Sequence, residues 1–193
     1  FRSMAESAPY LLEQRKNALN ELQKLAQEKH SKLTKLNDLI EFTYLTHPRF
    51  NSTLITPDIF LEVITKERGK DLKLGYSGTG PHKDDLLFNL NGSDAKKFAS
   101  EGQIQSLITA LYLAEYQRLL NNTDETPLFC IDDIGQNLDA SRLHSLYEML
   151  DQMGQVFITT PELPHYTFKG SVQIFQIEEG KIRAQNLHSA ATT

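Results

Sequence analysis

Leu128-Phe129-Cys130-Ile131-Asp132-Asp133-Ile134-Gly135-Gln136-Asn137-Leu138-Asp139 is the stretch from which the rest of the chain can be read. Four apolar residues run without a break into two aspartates. Such a run is expected of a short strand buried on both faces, as in a parallel sheet. Residues 141–153 carry Leu143, Leu146, Tyr147 and Leu150 on one helical face, with Gly154 placed to end the helix. Val156-Phe157-Ile158 repeats the apolar run and gives way to Thr159-Thr160-Pro161. Strand, helix and strand with short joints make a βαβ unit, which predicts parallel strands and a right-handed crossover. Residues 172–177 and 181–184, joined at Glu179-Gly180, read as a closing hairpin at the sheet edge, and the tail from His188 as frayed. The fold class is α/β, a parallel sheet with flanking helices.

Upstream, Ser100-Glu101-Gly102-Gln103 has the S-x-x-Q spacing of a capping box. It opens a helix over 101–120, whose Ile104, Leu107, Ile108 and Leu111 share one face. A strand over 86–90 enters Asn91-Gly92, a tight hairpin turn. From Gly69 onward, Gly75, Gly78 and Gly80-Pro81 predict turns. A short helix is expected over 57–66, with Thr56 as N-cap and Pro57 at its first position. Before the break at Pro48 and Asn51-Ser52-Thr53, residues 8 to about 37 read as one helix. Its apolar stripe, Leu11, Leu12, Ala18, Leu19, Leu22, Leu25, Ala26 and Leu33, is narrow. That suits an arm lying on one partner surface rather than a core helix.

Composition removes several classes. The 193 residues hold one cysteine, so there is neither a disulfide framework nor a cysteine-based zinc site. No apolar run is long enough to span a bilayer, and the first residues lack the apolar core of a signal peptide, so no membrane partner is expected and a cytoplasmic setting is. Twenty Lys+Arg against 25 Asp+Glu give a net charge of −5, which argues against wholesale coating of nucleic acid but leaves room for a local basic patch.

Each chemical feature admits two readings. Asp132 and Asp133 stand where an open α/β sheet binds ligands, beyond the carboxyl end of a strand. One could hold the water shell of Mg²⁺ and the other polarise a water, or both could cap the following turn. The helix start at Ser100 and Gly102 could receive phosphate, or be an ordinary capping box. Asp139 could be simply the N-cap of the next helix. Gly80-Pro81-His82-Lys83-Asp84-Asp85 reads as a polar turn before a strand, without recognised metal-ligand spacing. A metal-dependent hydrolase built on Asp132, Asp133 and Asp139 lacks a second cluster of ligands at motif spacing.

The order of these features is more specific than any one of them. A Ser-x-Gly-Gln helix start, an apolar strand ending in Asp-Asp, a Leu-Asp turn and a strand ending in a polar residue resemble the signature, Walker B, D-loop and switch of ABC-type ATPases. The stretch Lys70 to Leu86, containing Leu74-Gly75-Tyr76 and Gly80-Pro81-His82-Lys83-Asp84-Asp85-Leu86, narrows the resemblance to the RecF family of DNA replication and repair proteins. It continues through Lys97-Phe98, Leu113-Ala114-Glu115, Arg142 and Phe157-Ile158-Thr159-Thr160, with Arg15 and Leu22 at the arm's Arg and Leu positions. The resemblance implies ATP and Mg²⁺ as cofactors, with an ATP-dependent homodimer clamping double-stranded DNA or a duplex–single-strand junction. Recombination mediator proteins are the implied partners in recombinase loading. It places Ser100, Gly102 and Gln103 on the γ-phosphate of the opposite subunit and Asp132 on Mg²⁺ through water. Asp133 would orient the attacking water, Asp139 would form the D-loop, and Thr159 or Thr160 would take the switch position.

Two departures shape the expectation. No G-x-x-x-x-G-K-[ST] occurs, so the chain resembles the C-terminal portion of the family: residues 1–68 the end of the helical arm, residues 69–193 the second ATPase lobe. Without the P-loop's lysine and amide nest it should neither bind ATP tightly nor hydrolyse it alone. The family's Ser-Gln-Gly-Gln-Gln-Arg is here Ser100-Glu101-Gly102-Gln103-Ile104-Gln105, and its Ser-Glu-Leu-Asp is Gln136-Asn137-Leu138-Asp139. Glu101 beside a triphosphate would repel it. The rival expectation is therefore a DNA- or partner-binding scaffold with the same fold and a vestigial site.

Overall fold

The computed structural model describes residues 2–51 and 54–188. Helix α1 (Arg2–Thr34) is followed by strand β1 (Ile40–Leu45), helix α2 (Pro57–Leu74), strands β2 (Asp85–Leu90) and β3 (Ser93–Asp94), and helices α3 (Ala95–Phe98) and α4 (Glu101–Asn122). Strand β4 (Phe129–Ile131), helix α5 (Ala140–Leu150) and strand β5 (Val156–Ile158) come next, and strands β6 (Val172–Glu178) and β7 (Lys181–His188) close the described chain. The proposed fraying after His188 lies outside the described residues, as do Ser52 and Thr53.

Helix α1 is a spine. Ala5, Leu12, Leu19, Ala26 and Leu33 recur every seven residues and are all buried. This spacing keeps one seam facing its partners along the whole helix. The N-terminal end of the seam meets Phe50, Phe60, Val63 and Ile64, and Ala5 and Ala8 let these rings approach. That packing offsets Pro9, which lies inside the helix and removes a backbone donor. The middle of the seam meets β1, β2 and α4, and Leu33 enters a third cluster with Leu113, Leu146 and Tyr147. The narrow stripe thus crosses every core cluster of the described residues instead of lying on one surface. Part of the polar face is used as well: Gln23 and Gln27 accept hydrogen bonds from the backbone N–H groups of Phe42 and Ile40 at 2.7 and 2.8 Å.

Several elements differ from the sequence expectation, α1 among them, which runs from Arg2 to Thr34 rather than from 8 to about 37. Strand β1 has no counterpart in it; it pairs antiparallel with β2 from Ile40↔Leu90 to Leu45↔Asp85. Helix α2 continues through Gly69 to Leu74, eight residues past the expected end, and stops where Gly75 turns left-handed at φ 77°. Thr56 caps its start as expected, accepting from the Ile59 N–H. The β6–β7 hairpin forms its own two-stranded sheet rather than extending the parallel one.

The parallel unit itself forms as read. β4 pairs with β5 in register Phe129↔Val156, Cys130↔Phe157 and Ile131↔Ile158, with α5 between them in sequence. Its strands are not buried on both faces, however. Phe129, Ile131, Val156 and Ile158 pack toward α5, whereas Cys130 and Phe157 are exposed, Phe157 by 51%. The Asn91-Gly92 hairpin forms with φ 52° and 76°, the left-handed pair a tight turn requires.

Candidate functional site

The end of β4 and the end of β5 are tied together by one threonine. The Thr159 hydroxyl donates to Asp132 Oδ1 and accepts from the Asp133 N–H at 2.8 Å. Its backbone N–H reaches the Ile131 carbonyl at 2.9 Å, and its carbonyl receives the Ile134 N–H at 3.1 Å. Thr159 therefore fixes the acidic pair relative to the neighbouring strand. Thr160 does not join it, for its hydroxyl donates to the Glu162 carbonyl. After Asp132 the chain turns sharply: Asp133, Gly135 and Asn137 adopt φ of 50°, 92° and 61°.

The second group is the start of α4. Ser100 accepts from the Gln103 N–H, and Gln103 Oε1 accepts from the Ser100 N–H, so the capping box closes with both side chains engaged. Within the first turn of α4, the backbone N–H groups of Glu101 and Gly102 have no acceptor among the described residues, as helix geometry leaves such groups orphaned. A helix start of this kind favours negative charge. Glu101 itself is exposed there.

Arg142 joins this helix start to the loop after β4. Its Nη1 donates to the Gly102 carbonyl at 3.0 Å and to Ser106 Oγ at 3.1 Å, while its Nε lies 3.3 Å from Asp139 Oδ2. Asp139 in turn caps α5, accepting the Arg142 N–H at 2.9 Å. A Cβ on residue 102 would lie 3.2 Å from Arg142 Nη1 and 3.4 Å from the Asn137 carbonyl, so glycine is what permits this approach. Thus Ser100, Gly102 and Gln103 are brought to Asp139, and Asp132 and Asp133 to Thr159. The fully buried Ser106, which also donates to the Gly102 carbonyl at 2.6 Å, was not singled out by the sequence. Its one signal is its position, four residues beyond Gly102 on an otherwise apolar face.

Gly80 to Asp85 serves as a brace. Asp84, whose side chain is only 4% exposed, accepts the Tyr44 hydroxyl and lies 3.9 Å from Arg15. Arg15 also donates to the Pro81 carbonyl at 2.6 Å. Burial, with Asp84 adding to it against Arg15, holds the Tyr44 hydroxyl above its ordinary pKa. The block thereby binds α1 and β1 to the start of β2.

A groove of about 400 Å³ runs between α4 and β4, lined by Ile108, Tyr112, Cys130, Asp132 and Asp133 among others. Among the described residues no three His, Cys, Asp or Glu side chains form a metal-holding group. Asp139 is committed to Arg142, so the three aspartates do not converge. Asp132 spends one oxygen on Thr159 and is otherwise exposed. That suits a Mg²⁺ ion that keeps its waters and takes one carboxylate plus phosphate oxygens. The orphaned amides of Glu101 and Gly102 suit an anionic group. No described helix is long and apolar enough to cross a membrane.

No family model matches the chain. A DNA replication and repair protein RecF of Protochlamydia amoebophila (strain UWE25) is 41% identical over 165 residues, covering 83% of this chain and 45% of that protein. A RecF of Streptococcus suis (strain 05ZYH33) is 32% identical over 182 residues, covering 94% and 50%. Among solved structures, the recombination mediator protein RecF-ATP in the RecFOR pathway superposes with a TM-score of 0.78 at 22% identity, covering 97% of this chain and 49% of that one. The RecF-ATPrS structure superposes with a TM-score of 0.75 at 23% identity, covering 94% and 48%. At these identities the superpositions establish the fold, that of about half of the RecF ABC-type ATPase. The chain spans about half the length of the curated relatives it matches, and on their sequence identity it belongs to the RecF family.

Proposed function

We propose that this chain is the signature-bearing part of a RecF-type ATPase, acting in DNA replication and recombinational repair. The observation that carries the reading is the Arg142 brace, which holds the Gly102 helix start and the Asp139 cap as one unit. In an ATP-dependent homodimer the free amides at the start of α4, with Ser100 and Gln103 shaping that turn, would face the γ-phosphate bound by the opposite subunit. Bound Mg²⁺ would supply neutralisation of phosphate charge. Asp132 would hold one of that ion's waters, its orientation set by the Thr159 hydroxyl. Asp133, anchored through its N–H, would accept a proton from the attacking water. Asp139 would transmit between sites through Arg142, and Thr159 rather than Thr160 would take the switch position.

The division into an arm, residues 1–68, and a lobe, residues 69–193, belongs to the same proposal. Leu19 and Ala26 of α1 pack in one cluster with Leu107 and Ala114 of α4, so movement of the arm would reach the signature helix directly. The solved relatives are described as recombination mediators of the RecFOR pathway. Carried over, this gives a clamp on duplex DNA or duplex–single-strand junctions that works with other mediator proteins.

Exposed Glu101 in the first turn of α4 favours a second reading, a scaffold with a silent site. Light scattering on a RecF-length protein containing this chain separates the two. The clamp reading expects ATP to produce a dimer that Asp133→Asn makes longer-lived. If ATP leaves both proteins unchanged in mass, the scaffold reading replaces it.

A further inference from the structure

The lengthened α2 creates a basic surface that the sequence reading, which stopped the helix at Lys66, could not assemble. Lys66, Lys70 and Lys73 stand at i, i+4 and i+7, so they share one helix face over roughly 10 Å. Inward, Phe60, Val63 and Ile64 fix that orientation by packing on α1. Just past the helix end, Lys83 lies over the Tyr76 ring at 4.7 Å, and that ring is itself 55% exposed. Residues 66–83 hold five Lys/Arg and two Asp/Glu, a net charge of +3, while the other 175 residues carry −8.

The nearby carboxylates cancel only part of this surface: Lys66 and Lys70 are ion-paired, and Asp84-Asp85 directly follow Lys83, but Lys73 and Lys83 keep their charge. Asp71 is turned inward, accepting from the Gly78 N–H at 2.9 Å and the Ser77 hydroxyl. Glu67 lies 3.9 Å from Lys70, and Glu62 is shared between Arg49 and Lys66. Lys73 and Lys83 form no ion pair among the described residues, and both are exposed. In an acidic protein, cations concentrated this way present a positive face to one kind of partner. A duplex offers one negative charge per about 1.7 Å of axis, so the lysine row spans roughly six phosphate charges. The exposed tyrosine beside Lys83 adds a flat apolar surface for sugar or base edges.

We propose that the α2 face bearing Lys66, Lys70 and Lys73, with Lys83 and Tyr76 at its end, is a docking surface for the phosphate backbone of duplex DNA. The proposal rests on the reading of the chain as a DNA-repair protein and supplies the contact residues that reading lacks. Contacts of this kind position the duplex without reading its sequence.

The test is binding of a fluorescent 30-base-pair duplex to the 193-residue chain across a salt series. The triple variant Lys70→Gln/Lys73→Gln/Lys83→Gln is compared with a charge-matched control, Lys24→Gln/Lys32→Gln/Lys35→Gln. Lys24 and Lys32 lie farther along α1 and Lys35 just past its end, about 18 Å or more beyond the Leu12 contact with α2. The triple variant should keep the wild-type circular dichroism, because all three lysines are exposed. Its slope of log affinity against log salt should fall by roughly 0.9 per lysine, about eight-fold in affinity each at 0.1 M salt, on any duplex sequence. The control should keep the wild-type slope. A triple variant that binds like wild type, or a control that loses as much, overturns the surface and leaves the DNA-repair reading standing. A wild-type chain without duplex affinity even at low salt also overturns the surface, whereas the clamp reading, which needs the ATP-dependent dimer, stands or falls on the RecF-length protein. Polyglutamate bound as strongly as the duplex, and lost in the triple variant, overturns the duplex in favour of an acidic protein partner.

Discussion

Replacing His30 with leucine should stabilise the protein at neutral pH and remove an acid sensitivity. His30 lies on α1, is 1% exposed, and neither ring nitrogen has a hydrogen-bond partner. A neutral imidazole still carries one N–H, and burying a donor unpaired costs about 1–3 kcal/mol. Leucine removes that cost and keeps similar bulk, so His30→Leu should gain about 1–2 kcal/mol at pH 7.5, part of the gain being lost to imperfect fit. Burial also pushes the His30 pKa below its ordinary 6.5, with Arg142 lowering it further and Asp38 opposing. The folded state then stays neutral where the unfolded chain begins to bind a proton. The contribution is therefore fully present above pH 6.5 and is lost as pH falls below it, by up to about 1.4 kcal/mol per unit until the folded-state pKa is reached. Urea unfolding of both proteins at pH 7.5 and 5.5 measures this. Other titrating groups cancel in the difference, so the advantage of His30→Leu should widen at the lower pH, by no more than the linkage slope of about 1.4 kcal/mol per pH unit. A leucine variant that is less stable at pH 7.5, with the same gap at pH 5.5, would refute the reasoning, because His30 would then be a satisfied polar group.

Arg142→Met should cost about 1.5–3 kcal/mol. It keeps the stem but removes the charged hydrogen bonds to the Gly102 carbonyl and Ser106; the Asp139 pair, with its carboxylate 59% exposed, adds little. Chemical denaturation at constant m should show this loss, with Arg142→Lys recovering less than half of it because an ammonium lacks the fork; a loss under about 0.5 kcal/mol would remove the brace from the argument. Thr159→Val, similar in shape but without the hydroxyl, should lower Tm by roughly 2–8 °C as the Asp133 N–H loses its acceptor, while Thr159→Ser should hold most of it. Equal melting of the two variants would mean that the threonine fills space and does not tie the strands.

What the sequence made legible and what it hid follow from the range of the forces involved. The capping box at Ser100, the Asn91-Gly92 turn and the Asp139 N-cap are set by neighbours a few residues apart, and all three form as read. The β4–α5–β5 unit carries its periodicity in a single stretch of about thirty residues, and it too was readable. Strand β1 was not, because Glu41-Phe42-Thr43-Tyr44 becomes a strand through a partner more than forty residues away and through the Gln23 and Gln27 side chains. Helix α2 was cut short because Gly69 disfavours a helix by about 1 kcal/mol locally. Here Gly69 is exposed, Phe60, Val63 and Ile64 anchor the helix before it, and beyond it Asp71 is tied to Ser77 and Gly78 just past the helix end at Gly75. Arg142 was visible only as part of a family likeness, since its hydrogen bonds to Gly102 and Ser106 span 40 and 36 residues.

The departures from the family pattern look different once the loop after β4 has a conformation. Gln136-Asn137 in place of Ser-Glu counts in sequence as decay of a catalytic turn. In the structure Asn137 sits at φ 61°, where a long side chain costs about 1–2 kcal/mol and asparagine is among the residue types that adopt the region most readily. Its carbonyl points at the start of α4, 3.4 Å from where a Cβ on residue 102 would stand. The substitution thus favours the backbone conformation that this approach needs. Asp133, at φ 50°, is the second residue type tolerated there, and it brings a carboxylate as well. A loop that merely ended a strand would gain by having glycine at both positions. Keeping a carboxylate in a left-handed residue, pinned by Thr159 on one side and followed by buried Ile134, is strain held at one point by its surroundings. Of the departures, then, Gln136-Asn137 is accounted for by the backbone, and the weight of the scaffold reading falls on the signature, on Glu101 and on Gln105 where the family has arginine.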